Sequence, residues 1–225
     1  MIKLSNQNEK IKENVLSQLY WDQRVDATNI KVEMENDTIK LHGVVPTLYD
    51  KKIALQDTWK VDEVKKVDNQ IIVEHPPTFE NPDDSEIKRN INIMLSLDRH
   101  INAEEIHISV DKGIVTLEGV TDSYWKKIKA VDITSEIEGV LEVIDKITIV
   151  PSEKREDKEI AEEVMAALSR NSNVIEKNVE VEVNTGMVTL TGIVSSHEAY
   201  RSCLSTAYFT DGVVDVIDNL AIEEL

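Results

Sequence analysis

The chain has 225 residues, of which 41% are hydrophobic and 30% are charged, a balance typical of a soluble globular protein. No stretch reaches the roughly 18 apolar residues of a membrane-spanning helix, and one cysteine, Cys203, excludes an intrachain disulfide. The formal net charge of -18 disfavours nucleic acid as a partner, because Lys and Arg provide most of the affinity for phosphates.

The sequence repeats itself three times. A shift of 76 residues places Gly43 on Gly119, and a further shift of 73 places Gly119 on Gly192. Each repeat holds enough apolar residues to close a core of its own, so the period predicts three small domains. These are residues 1–75, 83–151 and 156–225, the first being the most divergent.

Each repeat opens with an amphipathic helix whose apolar residues recur every four positions. They are Ile11, Val15 and Leu19, then Ile87, Ile91 and Leu95, then Ile160, Val164 and Leu168. Alternating apolar residues then predict two strands joined by a tight turn, with Gly113 or Gly186 in the turn. The first repeat has Asn36 and Asp37 there, the next most tolerant residue types after glycine.

Glycine ends the second strand of every repeat, at Gly43, Gly119 and Gly192, where it permits close approach of another backbone segment. Polar residues then predict the start of a second helix at Thr47, Ser123 and Ser196. A last strand follows a turn that contains Gly139 or Gly212, with Glu63 in the first repeat. The fold class is therefore α+β: three tandem αββαβ domains, each a three-stranded mixed sheet with two helices on one face.

The string Gly113-Ile-Val-Thr-Leu-Glu-Gly119-Val120, with Gly139-Val140 twenty residues later, resembles the BON domain family of bacterial osmotically induced and nodulation proteins. The third repeat fits nearly as well, and the first keeps only part of the pattern. The glycines that carry the resemblance are structural: Gly43, Gly113, Gly119, Gly139, Gly186, Gly192 and Gly212. The resemblance implies a binding module without catalysis or cofactor, of a kind linked to phospholipid surfaces, osmotic stress or secretion assemblies.

The candidate binding surface lies at the start of the second helix in the first two repeats. It combines aromatic residues with lysines: Tyr49, Lys51 and Lys52, then Tyr124, Trp125, Lys126, Lys127 and Lys129. Aromatic rings beside lysines suit the headgroup boundary of an anionic membrane. In the alternative interpretation, the rings pack against the neighbouring domain while the lysines stay in water.

The sequence predicts neither a metal site nor an enzyme. The five histidines fall at unrelated positions of the repeat: His42, His75, His100, His107 and His197. Acidic pairs such as Asp83 with Asp84 lack the ligand spacing and the central glycine of a calcium loop. Neither a phosphate-binding loop nor a nucleophile elbow is present.

Two functions follow as hypotheses. The first is a non-catalytic binding or adaptor protein of bacterial stress or envelope physiology that touches anionic phospholipid. The alternative is a cytosolic scaffold that oligomerises or binds a protein partner. The first ten residues lack the apolar stretch of a signal peptide, which predicts a cytoplasmic protein, whereas removal of a preceding signal would predict the periplasm.

Overall fold

The computed structural model describes residues 2–35, 37–61, 63–74, 82–171 and 178–223, with side chains from residue 7 onward. The predicted order of helix, strand, strand, helix, strand is confirmed in every repeat. The first repeat contains α1 (Ile2–Trp21), β1 (Ile30–Glu35), β2 (Thr38–Val45), α2 (Leu48–Thr58) and β3 (Lys66–Val73). The second contains α3 (Asp84–Leu97), β4 (Ile106–Asp111), β5 (Ile114–Thr121), α4 (Tyr124–Ser135) and β6 (Glu142–Ile149). The third contains α5 (Asp157–Ser169), β7 (Val179–Asn184), β8 (Met187–Val194), α6 (His197–Tyr208) and β9 (Asp215–Ile222).

Three separate sheets have the strand orders β1-β2-β3, β4-β5-β6 and β7-β8-β9. The first pair of strands is antiparallel, with Val32 opposite Leu41, and β3 runs parallel to β2. The third sheet repeats this arrangement, with Val181 opposite Leu190 and β9 parallel to β8. The α+β fold of three repeated units with mixed sheets is thus confirmed.

The core of each repeat lies where the first helix meets the sheet. The four-residue spacing in the first helix places its apolar stripe inward, so that Val15 and Leu19 are fully buried against Leu41 of β2. The same positions are fully buried in the third repeat, as at Leu168 and Leu190. Each such side chain contributes about 1.5–3 kcal/mol by leaving water.

Contacts divide the chain into two compact units whose limits do not follow the repeats. One comprises residues 1–93, 109–116 and 132–144. The other comprises residues 94–108, 117–131 and 145–225. The middle repeat therefore contributes residues to both units.

The glycine that ends the second strand meets another stretch of backbone, as its sequence position predicts. A Cβ atom on Gly119 would lie 1.9 Å from the carbonyl oxygen of Glu105, and one on Gly192 would lie 1.9 Å from that of Asn178. Both glycines also have a φ of +151°, a conformation that L side chains rarely adopt. Only glycine fits here, so this position fixes the path by which the chain leaves the sheet.

The hairpin turns keep a left-handed residue in all three repeats. Gly113 and Gly186 both have a φ of +77°, and Asp37 takes this conformation in the first repeat with a φ of +62°. Asp37 thus replaces the turn glycine, as the tolerance of Asp for this region predicts. Its neighbour Asn36 lies outside the described residues.

The loop before the last strand differs in the first repeat. Gly139 and Gly212 have φ values of +95° and +85°, and a Cβ on Gly139 would lie 2.5 Å from Cδ1 of Ile87. Glu63 stands at this position in the first repeat and has no positive φ. The backbone of this loop therefore takes another path.

An aspartate in the first turn of the first helix holds the hairpin turn, an interaction that the sequence analysis missed. Both carboxylate oxygens of Asp157 accept backbone N–H groups, from Thr185 at 2.8 Å and from Gly186 at 2.9 Å. Asp84 accepts from Lys112 and Gly113 in the same way, at 2.8 and 3.0 Å. These backbone donors lower the pKa of Asp157, because they stabilise its charged form.

The glycine contact gives a first prediction. Replacing Gly119 by Ala should destabilise the second repeat by at least about 1–3 kcal/mol, since the strained φ alone has a cost of this order. Thermal unfolding followed by circular dichroism measures the loss. The matched control is Glu118→Ala, on the adjacent exposed residue of the same strand. Equal melting temperatures for the two variants would contradict the assigned role of Gly119.

The turn-holding carboxylate gives a second prediction. Replacing Asp157 by Ala should lower the stability of the protein at neutral pH, because two backbone donors lose their acceptor. The folded-state pKa of Asp157 is depressed, so its contribution is present above the unfolded pKa and disappears as pH falls through the folded pKa. Urea denaturation at neutral and acidic pH should therefore show a difference that shrinks on acidification. Glu156→Ala is the control, since the Glu156 side chain makes no capping hydrogen bond.

Candidate binding surface at the second helices

The second helices begin where the polar residues predicted. The hydroxyl of Thr47 accepts the backbone N–H of Asp50 at 3.1 Å and so caps α2. Ser196 caps α6 in the same way, accepting from Ala199 at 3.1 Å. The predicted aromatic and basic residues therefore lie in the first two turns of α2 and α4.

The lysines of α4 are engaged in ion pairs within the chain. Nζ of Lys126 lies 2.6 Å from Asp122, and Nζ of Lys129 lies 2.6 Å from Asp98. Each lysine holds the pKa of its partner carboxyl below the ordinary range, chiefly through this hydrogen bond. The ammonium groups predicted to face a membrane are thus neutralised by neighbouring carboxylates.

Lys127 and Lys52 are also paired. Nζ of Lys127 lies 3.1 Å from a carboxylate oxygen of Asp145 and donates to the carbonyl of Ile147 at 2.9 Å. Lys52 of α2 donates to the carboxylate of Asp132 in α4. Pairs that are partly exposed contribute only about 0–1 kcal/mol each, so their main effect is to occupy the lysines.

The aromatic residues of α4 pack on other rings. Tyr124 stacks on Tyr208 at the end of α6, with ring centroids 4.2 Å apart and planes 6° apart. Burial, together with the Tyr208 hydroxyl, raises the pKa of Tyr124. Trp125 meets His100 edge to face, with centroids 5.3 Å apart. Tyr124 therefore packs on a ring of the third repeat, whereas Trp125 packs on a ring of its own repeat.

In α2 the predicted surface is divided. Tyr49 is half-buried and packs against the core of the first repeat. Lys51 uses its backbone carbonyl to accept from the side chain of Asn69 in β3, at 3.4 Å. Within the described part of the chain, Lys51 is the one predicted lysine whose ammonium makes no ion pair.

One polar contact joins the second helix to the last strand in every repeat. The strand residue is Asn69, Asp145 or Asp218, and its side chain accepts the backbone N–H two residues later, at 3.1, 2.9 and 3.0 Å. The helix residue at the matching register is Lys51, Lys127 or Tyr200. The hydroxyl of Tyr200 donates to Asp218, and this bond raises the pKa of Tyr200 to about 12. Lys127 therefore occupies a structural position of the fold.

Large apolar side chains are exposed elsewhere, at the ends of the first helices. Trp21 of α1 and Leu97 of α3 occupy the same register of the repeat, and each is 74% exposed. Tyr20, beside Trp21, is 63% exposed. The third repeat has Arg170 at this register, lining an open groove of about 570 Å³ between α5 and α6, next to the exposed ring of Phe209. The candidate surface predicted from the sequence did not include Tyr20, Trp21 or Leu97.

The described residues contain no group of three or more metal-ligating side chains, and His75 lies outside them. Among these residues, no helix is both long and apolar enough to cross a membrane. Cys203 is buried in the core of the third repeat, and this burial raises the pKa of its thiol.

Comparisons with known proteins agree with the repeat. The model of the BON domain matches residues 7–75, 83–151 and 156–224. The chain is 30% identical to osmotically-inducible protein Y of Escherichia coli over 144 residues. This alignment covers 61% of the chain and 72% of that protein.

Two solved structures show distant similarity. The structural protein CdsD of the type III secretion system of Chlamydia trachomatis is 16% identical over 94% of this chain and 91% of its own, with a TM-score of 0.27. The periplasmic domain of PrgH from S. typhimurium is 14% identical over 93% of this chain and all of its own, with a TM-score of 0.22. Similarity at these TM-scores supports no conclusion about function.

The family model, in contrast, matches three segments that together span most of the sequence. The chain therefore belongs to the BON domain family.

Proposed function

We propose that this protein is a non-catalytic adaptor of bacterial stress or envelope physiology that binds a protein partner through the exposed ends of its first helices. Membership of the BON family and the similarity to an osmotically-inducible protein support a stress- or envelope-related binding protein. The choice of a protein partner is a finer step, and it rests on the surfaces of the described residues.

The observation that carries the proposal is the matched exposure of Trp21 and Leu97. Two of the three repeats place a large apolar side chain at the last residue of the first helix, and each leaves 74% of it in solvent. Large exposed apolar side chains at one register mark a surface that gains free energy when a partner covers it. Tryptophan is also among the residues that contribute most to protein interfaces.

Charge favours a protein partner over an anionic membrane. The cation closest in sequence to Trp21 is Arg24, and its Nε donates to both carboxylate oxygens of Asp22, at 2.9 and 3.2 Å. The three lysines of α4 are paired in the same manner. A surface whose cations are already neutralised attracts lipid phosphates weakly, and the net charge of -18 adds repulsion.

Phospholipid binding is the second candidate, because one observation favours it. Tyr20 and Trp21 form an exposed aromatic pair at the end of α1, and the ammonium of Lys51 makes no ion pair with a carboxylate of the described residues. Amphipathic rings of this kind suit the boundary of a bilayer. Of the three repeats, the first also has the smallest acidic excess, with 11 basic against 13 acidic residues in positions 1–76.

Site-specific photocrosslinking tests the adaptor proposal. A photoreactive amino acid at position 21 and, separately, at position 97 should each capture the same protein in living cells. The control position is Glu13, which is exposed on α1 but charged. Replacing both Trp21 and Leu97 by Ala should then remove the complex in a reciprocal pull-down without changing the circular dichroism spectrum. Adducts that differ between the two positions, or that also form at position 13, would contradict binding of one partner at both helix ends.

Vesicle flotation separates the two candidates. We expect the wild-type protein to stay with the soluble fraction when it is mixed with anionic vesicles at low ionic strength. Flotation that weakens as salt is added, and that is lost when Trp21 and Lys51 are replaced by Ala, would support the phospholipid function and displace the adaptor proposal. The circular dichroism spectrum of that variant is the control for folding.

A further inference from the structure

Two carboxyl groups are buried together in the first repeat. Asp57, near the end of α2, is 0% exposed, and Asp22, the residue that follows α1, is 7% exposed. Fully buried aspartates are rare unless they are paired with other groups. The two side chains interact directly with each other.

Cationic side chains and a backbone N–H group donate hydrogen bonds to some of the carboxyl oxygens of this pair, but not to all of them. Asp22 accepts from Nε of Arg24 at 2.9 Å and from the Arg24 backbone at 3.0 Å, whereas Oδ1 of Asp57 accepts from Nζ of Lys60 at 2.6 Å. Oδ2 of Asp57 has no hydrogen-bond partner, and it is the one buried side-chain oxygen or nitrogen in this condition among the described residues.

A proton bound to Asp57 gives its unpartnered oxygen the means to form a hydrogen bond. An ionised carboxylate only accepts hydrogen bonds, so Asp22 and Asp57 cannot hydrogen-bond to each other while both are ionised. A protonated Asp57 can donate from Oδ2 to Asp22, which converts the close approach of two carboxyl groups into a hydrogen bond. Like-charged carboxyl groups in one buried place share a proton for this reason.

The surrounding charges favour the proton on Asp57. Burial is the largest influence on the pKa of Asp57 and raises it; Lys60 partly opposes this, and Asp22 adds to it. The pKa of Asp22 is lowered, chiefly by its hydrogen bond from Arg24. Tyr49 of α2 also interacts with Arg24. Among the described residues, Lys60 and Asp22 are the charged groups that act on Asp57, and Arg24 acts on Asp22.

The fold does not require an acid at this position. The residues that align with Asp57 in the other repeats are Ile133 and Thr206, and those that align with Asp22 are Asp98 and Asn171. Of the three repeats, only the first has a carboxyl group at both positions. The pair is therefore a feature of this repeat and not of the BON architecture.

We propose that Asp22 and Asp57 form a proton-binding site in which Asp57 donates a hydrogen bond to Asp22 and holds α2 against the segment that follows α1. When pH rises and the proton leaves, two negative charges face each other in a buried place, and the first repeat loses stability. Acidification restores the hydrogen bond. The first repeat is consequently a pH-responsive element, a property that does not depend on what the protein binds.

The sign of the pH dependence follows from the raised folded-state pKa of Asp57. Its proton stabilises the fold fully below the unfolded pKa of about 3.9, and that stabilisation is lost as pH rises through the folded pKa. Asp57→Asn remains neutral at every pH, and its amide can donate to Asp22. The unfolding constant of the wild type divided by that of the variant should therefore grow by up to tenfold per pH unit between the unfolded and the folded pKa of Asp57. Above the folded pKa this ratio should stay constant, with the variant more stable than the wild type.

Urea denaturation of the full chain across this pH range provides the measurement. A Trp125→Phe background leaves Trp21 and Trp59 as the remaining tryptophans, both in the first repeat, so fluorescence reports unfolding there. Asp98→Asn is the matched control. Asp98 aligns with Asp22 but is paired with Lys129, and its pKa is lowered, so this variant should be less stable than wild type at neutral pH.

A direct readout is the carboxyl ¹³C signal of Asp57, assigned by its disappearance in Asp57→Asn. It should titrate well above the ordinary range for aspartate. A signal that titrates at or below that range would overturn the proposal, as would a stability ratio that does not change with pH. If Asp57→Asn does not fold, Asp57→Thr introduces the residue of the third repeat, whose hydroxyl can also donate to Asp22, and the same pH-dependent ratio is expected.

Discussion

The close backbone approach at the end of the second strand is the constraint on which each repeat depends. Gly119 and Gly192 bring the strand against the carbonyl of the residue that precedes the first strand, at a distance that no Cβ atom permits. This contact directs the chain away from the sheet and toward the capped start of the second helix. The direction in which the chain leaves the sheet therefore determines where α4 and α6 begin.

Lysines of the second helix that the sequence pattern indicates as binding residues instead make contacts within the fold. Lys127 lies at a register that the fold uses to join the second helix to the last strand, a role that Tyr200 takes in the third repeat. Lys126 meets the carboxylate of Asp122 four residues earlier, and Lys129 meets that of Asp98, which follows α3. The exposed apolar residues, Trp21 and Leu97, lie instead at the ends of the first helices, where the repeat needs no packing.

Divergence among the repeats separates architecture from specialisation. The architecture tolerates an aliphatic residue, a hydroxyl or a carboxyl group at the position of Asp57, since Ile133 and Thr206 occupy it elsewhere. It also tolerates Glu63 in place of a glycine, at the expense of a different loop path. The first repeat departs most from the family pattern, and it alone combines an exposed tryptophan with a buried carboxyl pair. Such departures are where a repeated fold acquires separate properties.

The sequence by itself determined the number of repeats, the order of elements, the sheet type and the apolar stripe of each first helix. These follow from local periodicity and from glycines whose backbone conformation no other residue adopts easily. Only the tertiary structure decided which charges are neutralised and which acids are buried. Lys129 meets Asp98 and Asp57 meets Asp22 across 31 and 35 residues, and a contact between such distant segments leaves no periodic trace along the chain. The candidate lysine surface was therefore recognisable as a pattern, but its ion pairing depends on the three-dimensional placement of aspartates, which local pattern does not encode.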